Sequence, residues 1–350
     1  MSASPHASTW KDATRGHLRT AERGGTPPPP ARALPPASRG RRRRSGPGGW
    51  RSTLYRWDVK AIPYVFITPF FLTFAAFGLF PLIYTGWLSL NRVELGGTPE
   101  WKGLENYTDL ATSEFFWNAL LNTFTIGVIS TVPQLLMALG LAHLLNYKLR
   151  GRGFFRVAIL APYATSIAAA TLVFAQLFNT DYGMINGVLD WVGIGPIDWK
   201  NSKWPAQIAI SVIVTWRWTG YNALIYLAAM QAVPQDLYEA ASLDGASRWR
   251  QFISVTIPSI RPTIFFTIIV STIGATQLFG EPMLFGGSVG ISGGSGHQFQ
   301  TLSLLMYEKG WITGALGSAS AIAWVMLALL LLIGGIQALV SRRNRKKLGD

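Results

Sequence analysis

The chain has no cysteine among its 350 residues. Disulfides, thiolate metal sites and cysteine nucleophiles are therefore excluded. Histidine is scarce, and His6, His17, His143 and His297 lie too far apart to show metal-ligand spacing. Charged residues make up only 14% of the chain against 49% hydrophobic, with a mean hydropathy of +0.26. That balance fits a polytopic membrane protein better than a soluble enzyme. No Gly-Lys dipeptide occurs, so no Walker A phosphate cradle can be built. Neither a Ser/His/Asp set nor a carboxylate pair falls at a believable depth, which leaves covalent chemistry without support.

Basic residues are in excess, with a net charge of +14. Their placement argues against nucleic acid as a partner. Of the 31 Lys and Arg, 13 lie in residues 1–60 and 5 in residues 341–350. The first tail is rich in Pro, Gly, Ser and Arg, has little to bury, and is expected to be disordered. It holds a short polyproline segment, Pro27 to Pro30, and a basic block, Arg41 to Arg44. Two readings of that block stay open: contact with anionic membrane lipid at the cytoplasmic face, or a solvated tail that only helps orientation. The tail is not read as a cleaved signal, because the apolar run after it is too long.

Six apolar runs follow, near 62–90, 118–146, 154–178, 206–233, 262–285 and 314–340. Each is long enough for the ~20 helical residues that cross about 30 Å of hydrocarbon. The connections alternate in charge. The 147–156 connection carries Lys148, Arg150, Arg152 and Arg156 with no acid, and the 234–261 connection carries Arg248, Arg250 and Arg261. By contrast 91–117 holds Glu94, Glu100, Glu105, Asp109 and Glu114, and 179–205 holds Asp181, Asp190 and Asp198. The positive-inside rule then places both termini and the 147–156 and 234–261 connections in the cytoplasm. The domain reading is a basic tail (1–60), a six-helix membrane domain (61–340) and a basic tail (341–350).

The 234–261 connection is amphipathic. Leu237, Ala240 and Ala241 share a helical face. Gly245 suits the left-handed residue that ends a helix, and Ser247 suits the N-cap of the next. Trp249, Phe252 and Ile253 repeat the spacing, and Pro258 and Pro262 are expected to stop that second helix. Glu239-Ala240-Ala241, Asp244-Gly245 and Val255-Thr256-Ile257-Pro258 together resemble the EAA loop of ABC-importer permeases. The departures from that motif are Val255 for Ile and Ile257 for Leu. Leu243-Asp244-Gly245-Ala246 resembles the sugar-transporting branch. The first span, from Ile62 to Asn91, is similar to that of the first permease of maltose- and glycerol-3-phosphate-type importers, and the likeness covers roughly residues 60–340.

The resemblance implies an all-α polytopic protein with six transmembrane helices in the type I ABC-importer permease fold. It implies a non-enzymatic permease subunit of a carbohydrate importer in the bacterial cell membrane, with di- or oligosaccharides favoured. The implied partners are an ATPase subunit dimer, a second permease, an extracellular solute-binding protein and the sugar. No cofactor sits on this chain, and ATP and Mg bind the ATPase. The 235–258 loop, with Glu239, Ala240, Ala241, Asp244, Gly245 and Pro258, is the coupling element to that ATPase.

Within the spans, Trp216-Arg217-Trp218-Thr219-Gly220-Tyr221-Asn222 in the fourth and Gln277, Phe279 and Glu281 in the fifth combine aromatic platforms with polar groups. Rings stack on the apolar face of a pyranose, and Asn, Gln and Glu bond its hydroxyls. Trp216, Arg217, Trp218, Tyr221, Asn222, Gln277, Phe279 and Glu281 are therefore candidates for a substrate pathway. Aromatics also gather at membrane interfaces, and Arg217 and Glu281 can equally form a purely structural pair across two helices, since an intramembrane arginine must be paired or face water. Arg217 also leaves glycerol-3-phosphate open as a substrate. Tyr163 and Gln176 are weaker pathway candidates. Pro133 and Gln134 read as a kink and an inter-helix hydrogen bond. The Gly-rich segment 286–296, with its six glycines, reads as a flexible external loop. The alternative function is a stand-alone secondary sugar transporter or channel, which calls for acid–base relays and inverted repeats that the sequence does not display.

Overall fold

A computed structural model describes residues 49–147 and 150–347, with side chains described over 62–147 and 150–339. The chain divides into residues 1–67 and 68–350. The polyproline segment and the Arg41–Arg44 block lie outside the described residues. Helix α1 is Gly49–Phe74, so helix starts before the apolar run. Once nucleated, a helix gains one hydrogen bond per added residue and extends into polar sequence at little cost.

From residue 68 onward the described residues are mostly helical, with one small hairpin. A π turn at Ala75–Leu79 leads into α2 (Phe80–Ser89). The two-residue strands β1 (Asn91–Arg92) and β2 (Glu100–Trp101) pair antiparallel, Asn91 opposite Trp101. Then come α3 (Glu105–Thr112), α4 (Glu114–Asn146), α5 (Arg152–Ala164), α6 (Ile167–Leu177), α7 (Met184–Trp191) and α8 (Lys203–Gln231). The 234–261 connection holds α9 (Gln235–Leu243), α10 (Arg248–Gln251), a π turn at Phe252–Thr256 and α11 (Ile257–Ser259). The chain closes with α12 (Arg261–Thr276), α13 (Gly280–Phe285), α14 (Leu302–Tyr307) and α15 (Leu316–Lys347).

Three of the six spans are straightforward apolar helices, Ile62–Ser89, Glu114–Asn146 and Leu316–Leu339. Two are bent, Arg152–Ala164 with Ile167–Leu177 by 89° and Arg248–Ser259 with Arg261–Thr276 by 68°. The sixth is α8, whose 29 residues reach roughly 43 Å at 1.5 Å per residue. It is more polar than the others because it runs through the bundle interior. Gln207, Ser211, Arg217 and Asn222 are all buried there, facing protein rather than lipid. Ala138 and Ala142 on α4 and Ala206, Ala209 and Ala223 on α8 are fully buried. Small side chains of this kind let helices approach closely where no hydrophobic effect drives them together.

Several boundaries differ from the sequence expectation. The third span, read as one run over 154–178, breaks where Thr165 and Ser166 turn extended, the Thr165 hydroxyl donating to the Ala161 carbonyl at 3.0 Å. The fifth run, read as 262–285, ends at Thr276. Pro282 has no N–H and its ring collides with a helical carbonyl four residues earlier, which is that of Leu278. The freed Leu278 carbonyl instead accepts the Thr301 hydroxyl at 2.7 Å. Pro258 does not stop its helix, which continues to Ser259, and Pro262 begins α12. Pro258 is tolerated because a π turn lies just before it, and Pro81 follows a π turn in the same way. The wider turn loosens the ladder where the proline leaves a carbonyl unpaired.

The Gly-rich segment is not a loose loop: Gly293 N donates to the Gly290 carbonyl and Gly294 N to the Val289 carbonyl, both at 3.0 Å, and Phe299 N closes on the Gly293 carbonyl at 3.0 Å. The residues just after it are pinned to the bundle. Asn122 Nδ2 donates to the carbonyls of His297 (3.0 Å) and Gln300 (3.2 Å), and Asn118 Nδ2 to His297 (2.7 Å). Gln207 Nε2 donates to Asn122 Oδ1 and to the Gln298 carbonyl, both at 2.9 Å, while Thr125 donates to Gln207 Oε1 at 2.7 Å. Gln298 Nε2 reaches the Lys200 carbonyl at 2.7 Å. These bonds hold His297 at φ 54°, an uncommon conformation for a residue with a Cβ. Outside the spans, Asn201 bonds to Asp198 through side chain and backbone and holds its carboxyl below the usual carboxylate range.

Packing changes the choice of positions for a topology test. Ser292 is half-buried, 3.2 Å from Glu308, whereas Ser295 and Ser247 are exposed. Cysteines introduced at Ser295 and Ser247 are expected to react with an impermeant thiol reagent from opposite sides of the membrane. Labelling of both from one side would overturn the six-span arrangement.

Candidate functional site

Two places in the fold bring the sequence candidates together. The first is the exposed helical pair of the 234–261 connection. α9 ends in a paired set of backbone bonds, Ala246 N to Ala241 O (2.9 Å) and Gly245 N to Ser242 O (3.0 Å), with Gly245 at φ 75°. This is the Schellman arrangement, which satisfies the last carbonyls of a helix and needs a left-handed residue after the cap. Asp244 is the C-cap. Ser247 accepts from Arg250 N at 3.4 Å and starts α10. Gln251 Nε2 ties the two helices together through Ser242 Oγ (2.9 Å) and the Ala246 carbonyl (3.0 Å), and Tyr238 meets Thr256 at 3.0 Å. Glu239, Ala240 and Pro258 are exposed and Ala241 half-buried. Leu243 at 90% and Trp249 at 64% exposure add apolar surface of the kind that marks an interaction site.

The second is a cavity of about 760 Å³ between α4, α5, α8, α12 and α13, within the range of small-ligand sites. Arg217, Trp218, Tyr221, Asn222, Gln277, Phe279 and Glu281 all line it. Trp216 does not. At 100° per residue, Val214, Arg217, Trp218 and Tyr221 share one stripe of α8, while Trp216 lies off it, 39% exposed and against Phe174 at 5.2 Å. Gln277 and Phe279 lie in the break after α12 and Glu281 in the first turn of α13, so the break itself turns them inward.

One wall of the cavity is aromatic. Tyr163 stacks on Tyr221 at 4.8 Å and meets Trp218 edge-on at 5.2 Å. Gln176, the other candidate from the third span, is exposed and lies off the cavity. The rest of the lining includes polar groups. Arg217 Nη1 donates to Glu281 Oε1 at 2.7 Å, and both residues are buried. Splitting such a pair costs about 3–5 kcal/mol, because the survivor stays charged without a partner. Reasoning from sequence missed the α4 contribution. Gln134 makes the expected inter-helix bond, to Ser271 at 3.5 Å, but with Ser130 and Thr131 it also lines the cavity. Its signal was the run Ser130, Thr131 and Gln134, polar residues three and four apart inside an apolar helix.

Among the described residues no cluster of His, Asp or Glu could hold a metal. The arrangement can stack sugar rings and bond hydroxyls.

Known proteins share both sequence and fold with this chain. The lactose transport system permease protein of Rhizobium radiobacter is 35% identical over 300 residues, covering 84% of this chain and 98% of the relative. The sulfoquinovosyl glycerol transport system permease protein of Agrobacterium fabrum is 35% identical over 261 residues, 75% and 83% respectively. The fold matches a chain from the crystal structure of a bacterial alginate ABC transporter in complex with an alginate pentasaccharide-bound periplasmic protein. There the TM-score is 0.70 at 21% identity, covering 84% of this chain and 97% of that one. Residues 123–346, which include the cavity helices α8, α12 and α13 and the whole 234–261 connection, match one family throughout, and the chain belongs to it: the binding-protein-dependent transport system inner membrane components.

Proposed function

We propose that this permease moves a di- or oligosaccharide into a bacterial cell, as one of two permease subunits above an ATPase dimer. ATP and Mg bind the ATPase. An extracellular solute-binding protein delivers the sugar, and both termini face the cytoplasm, as the loop charges support. ATPase closure pushes on α9 and α10, and the bundle switches the cavity between its two openings. The observation that carries this reading is the cavity itself, which brings the aromatic cluster of Tyr163, Trp218 and Tyr221 together with the polar side chains of Gln134, Asn222 and Glu281.

The test is co-purification with the ATPase, the second permease and the binding protein, followed by ATP hydrolysis in lipid. Sugar-loaded binding protein is expected to stimulate hydrolysis. Trp218→Ala is expected to reduce stimulated uptake roughly tenfold while leaving the complex assembled, since an aromatic contact contributes about 0.5–1.5 kcal/mol beyond its buried area. Uptake by this chain alone, without the ATPase, would establish the stand-alone transporter instead.

A further inference from the structure

The sugars that transporters carry include neutral and acidic ones. Of the relatives above, one carries lactose by name, another a sulfonated glycoside, and the structural neighbour imports alginate, an acidic polysaccharide. A site for acids is expected to offer a positive charge that is not already paired. Among the described residues Arg217 and Glu281 are the charged residues that line this cavity, and they neutralise each other at 2.7 Å.

We infer that the Arg217–Glu281 pair makes this cavity selective for uncharged over acidic oligosaccharides, an inference that rests on the sugar-cavity reading. The pair is a half-used clamp. Among the described residues Glu281 gives one oxygen to Arg217 and takes no second hydrogen bond, and Arg217 Nε is buried without a partner. A carboxylate oxygen accepts and a guanidinium N–H donates, so together they match neighbouring hydroxyls, each of which can do both. A uronate meets a different balance. To reach Arg217 its carboxylate must displace Glu281, which then sits buried and unpaired, or else lie beside Glu281 as a like charge. Both outcomes are costly inside a low-dielectric wall. The aromatic wall does not discriminate, because the ring face of a uronate is as apolar as that of its neutral counterpart.

The test uses the assembled transporter in lipid nanodiscs and a panel of matched oligosaccharides, each neutral sugar paired with its uronate. Binding is read directly, without the solute-binding protein, so that selectivity upstream does not enter. Wild-type protein is expected to bind only neutral members. Glu281→Gln frees the arginine charge while keeping a hydrogen bond to it, and is expected to raise the uronate-to-neutral affinity ratio about tenfold or more, the scale of a charge-assisted bond. The double variant Arg217→Gln, Glu281→Gln restores neutrality and is expected to lose that gain. Wild-type preference for uronates, or an unchanged ratio in Glu281→Gln with neutral binding intact, would overturn the inference and leave the sugar cavity standing. Binding of no member by wild-type protein would overturn the sugar cavity itself. If Glu281→Gln does not assemble, the wild-type ratio decides.

Discussion

Gly220→Val is expected to abolish sugar-stimulated ATP hydrolysis and to lower the thermal stability of the purified complex. Gly220 is buried at the crossing of α8 with α5, and any Cβ there overlaps the Ile159 backbone carbonyl. A carbonyl cannot rotate away as a side chain can, so α5 must move. Overpacking of a close-packed interior costs about 1–3 kcal/mol and sometimes more. The displacement also reaches the cavity, because Tyr163 lies one turn beyond Ile159 on α5 and stacks on Tyr221, the residue after Gly220. The two halves of the aromatic wall separate together. Gly220→Ala is expected to show the same defect in milder form. Wild-type melting and wild-type stimulation in the valine variant would mean that these helices do not cross this closely.

Gly245→Val is expected to leave the spans inserted and the sugar cavity intact, yet to uncouple hydrolysis from transport. At φ 75° a β-branched residue carries a penalty of roughly 1–2 kcal/mol or more. The Schellman bonds at Ala246 and Gly245 are then lost, and with them the angle between α9 and α10. Gly245→Asn is the control, since asparagine tolerates the left-handed region. Glu239→Lys probes the same surface by charge. Glu239 is exposed on α9, and the proposed ATPase contact would give it a basic partner. Its reversal is expected to lower ATPase retention, and a compensating acid on the ATPase side to recover part of it. Normal assembly and normal stimulated hydrolysis in both Gly245→Val and Glu239→Lys would remove this loop from the coupling path.

What was legible in the sequence was what local chemistry decides. Gly245 and Ser247 sit at helix ends because backbone geometry and cap hydrogen bonds demand those residue types, and the structure has them there. The Arg217–Glu281 pair was legible because an intramembrane charge needs a partner, and few were available. The break after Thr276 was hidden. Its cause, Pro282, acts on a carbonyl four residues upstream, and its compensation comes from Thr301, far along the chain. The Gly-rich segment was misread because composition reports backbone freedom and not the turn hydrogen bonds at Gly293 and Gly294 that remove it. Trp216 was grouped with its neighbours by sequence adjacency, where helical phase separates them.

The cross-links that seat residues 297–301 against α4 and α8 have a bearing on the response to pH. Asn122, Gln207, Gln298 and Thr125 are amides and a hydroxyl, and none of them gains or loses a proton across the pH range a bacterium meets. The carboxyl in the adjoining turn, Asp198, is depressed by Asn201, so it stays ionised in acid where an ordinary aspartate begins to neutralise. Its contribution to stability is present above the ordinary aspartate pKa and fades only as the pH falls through the lowered value. The amide and hydroxyl links to α4 and α8 therefore keep the same strength across that range.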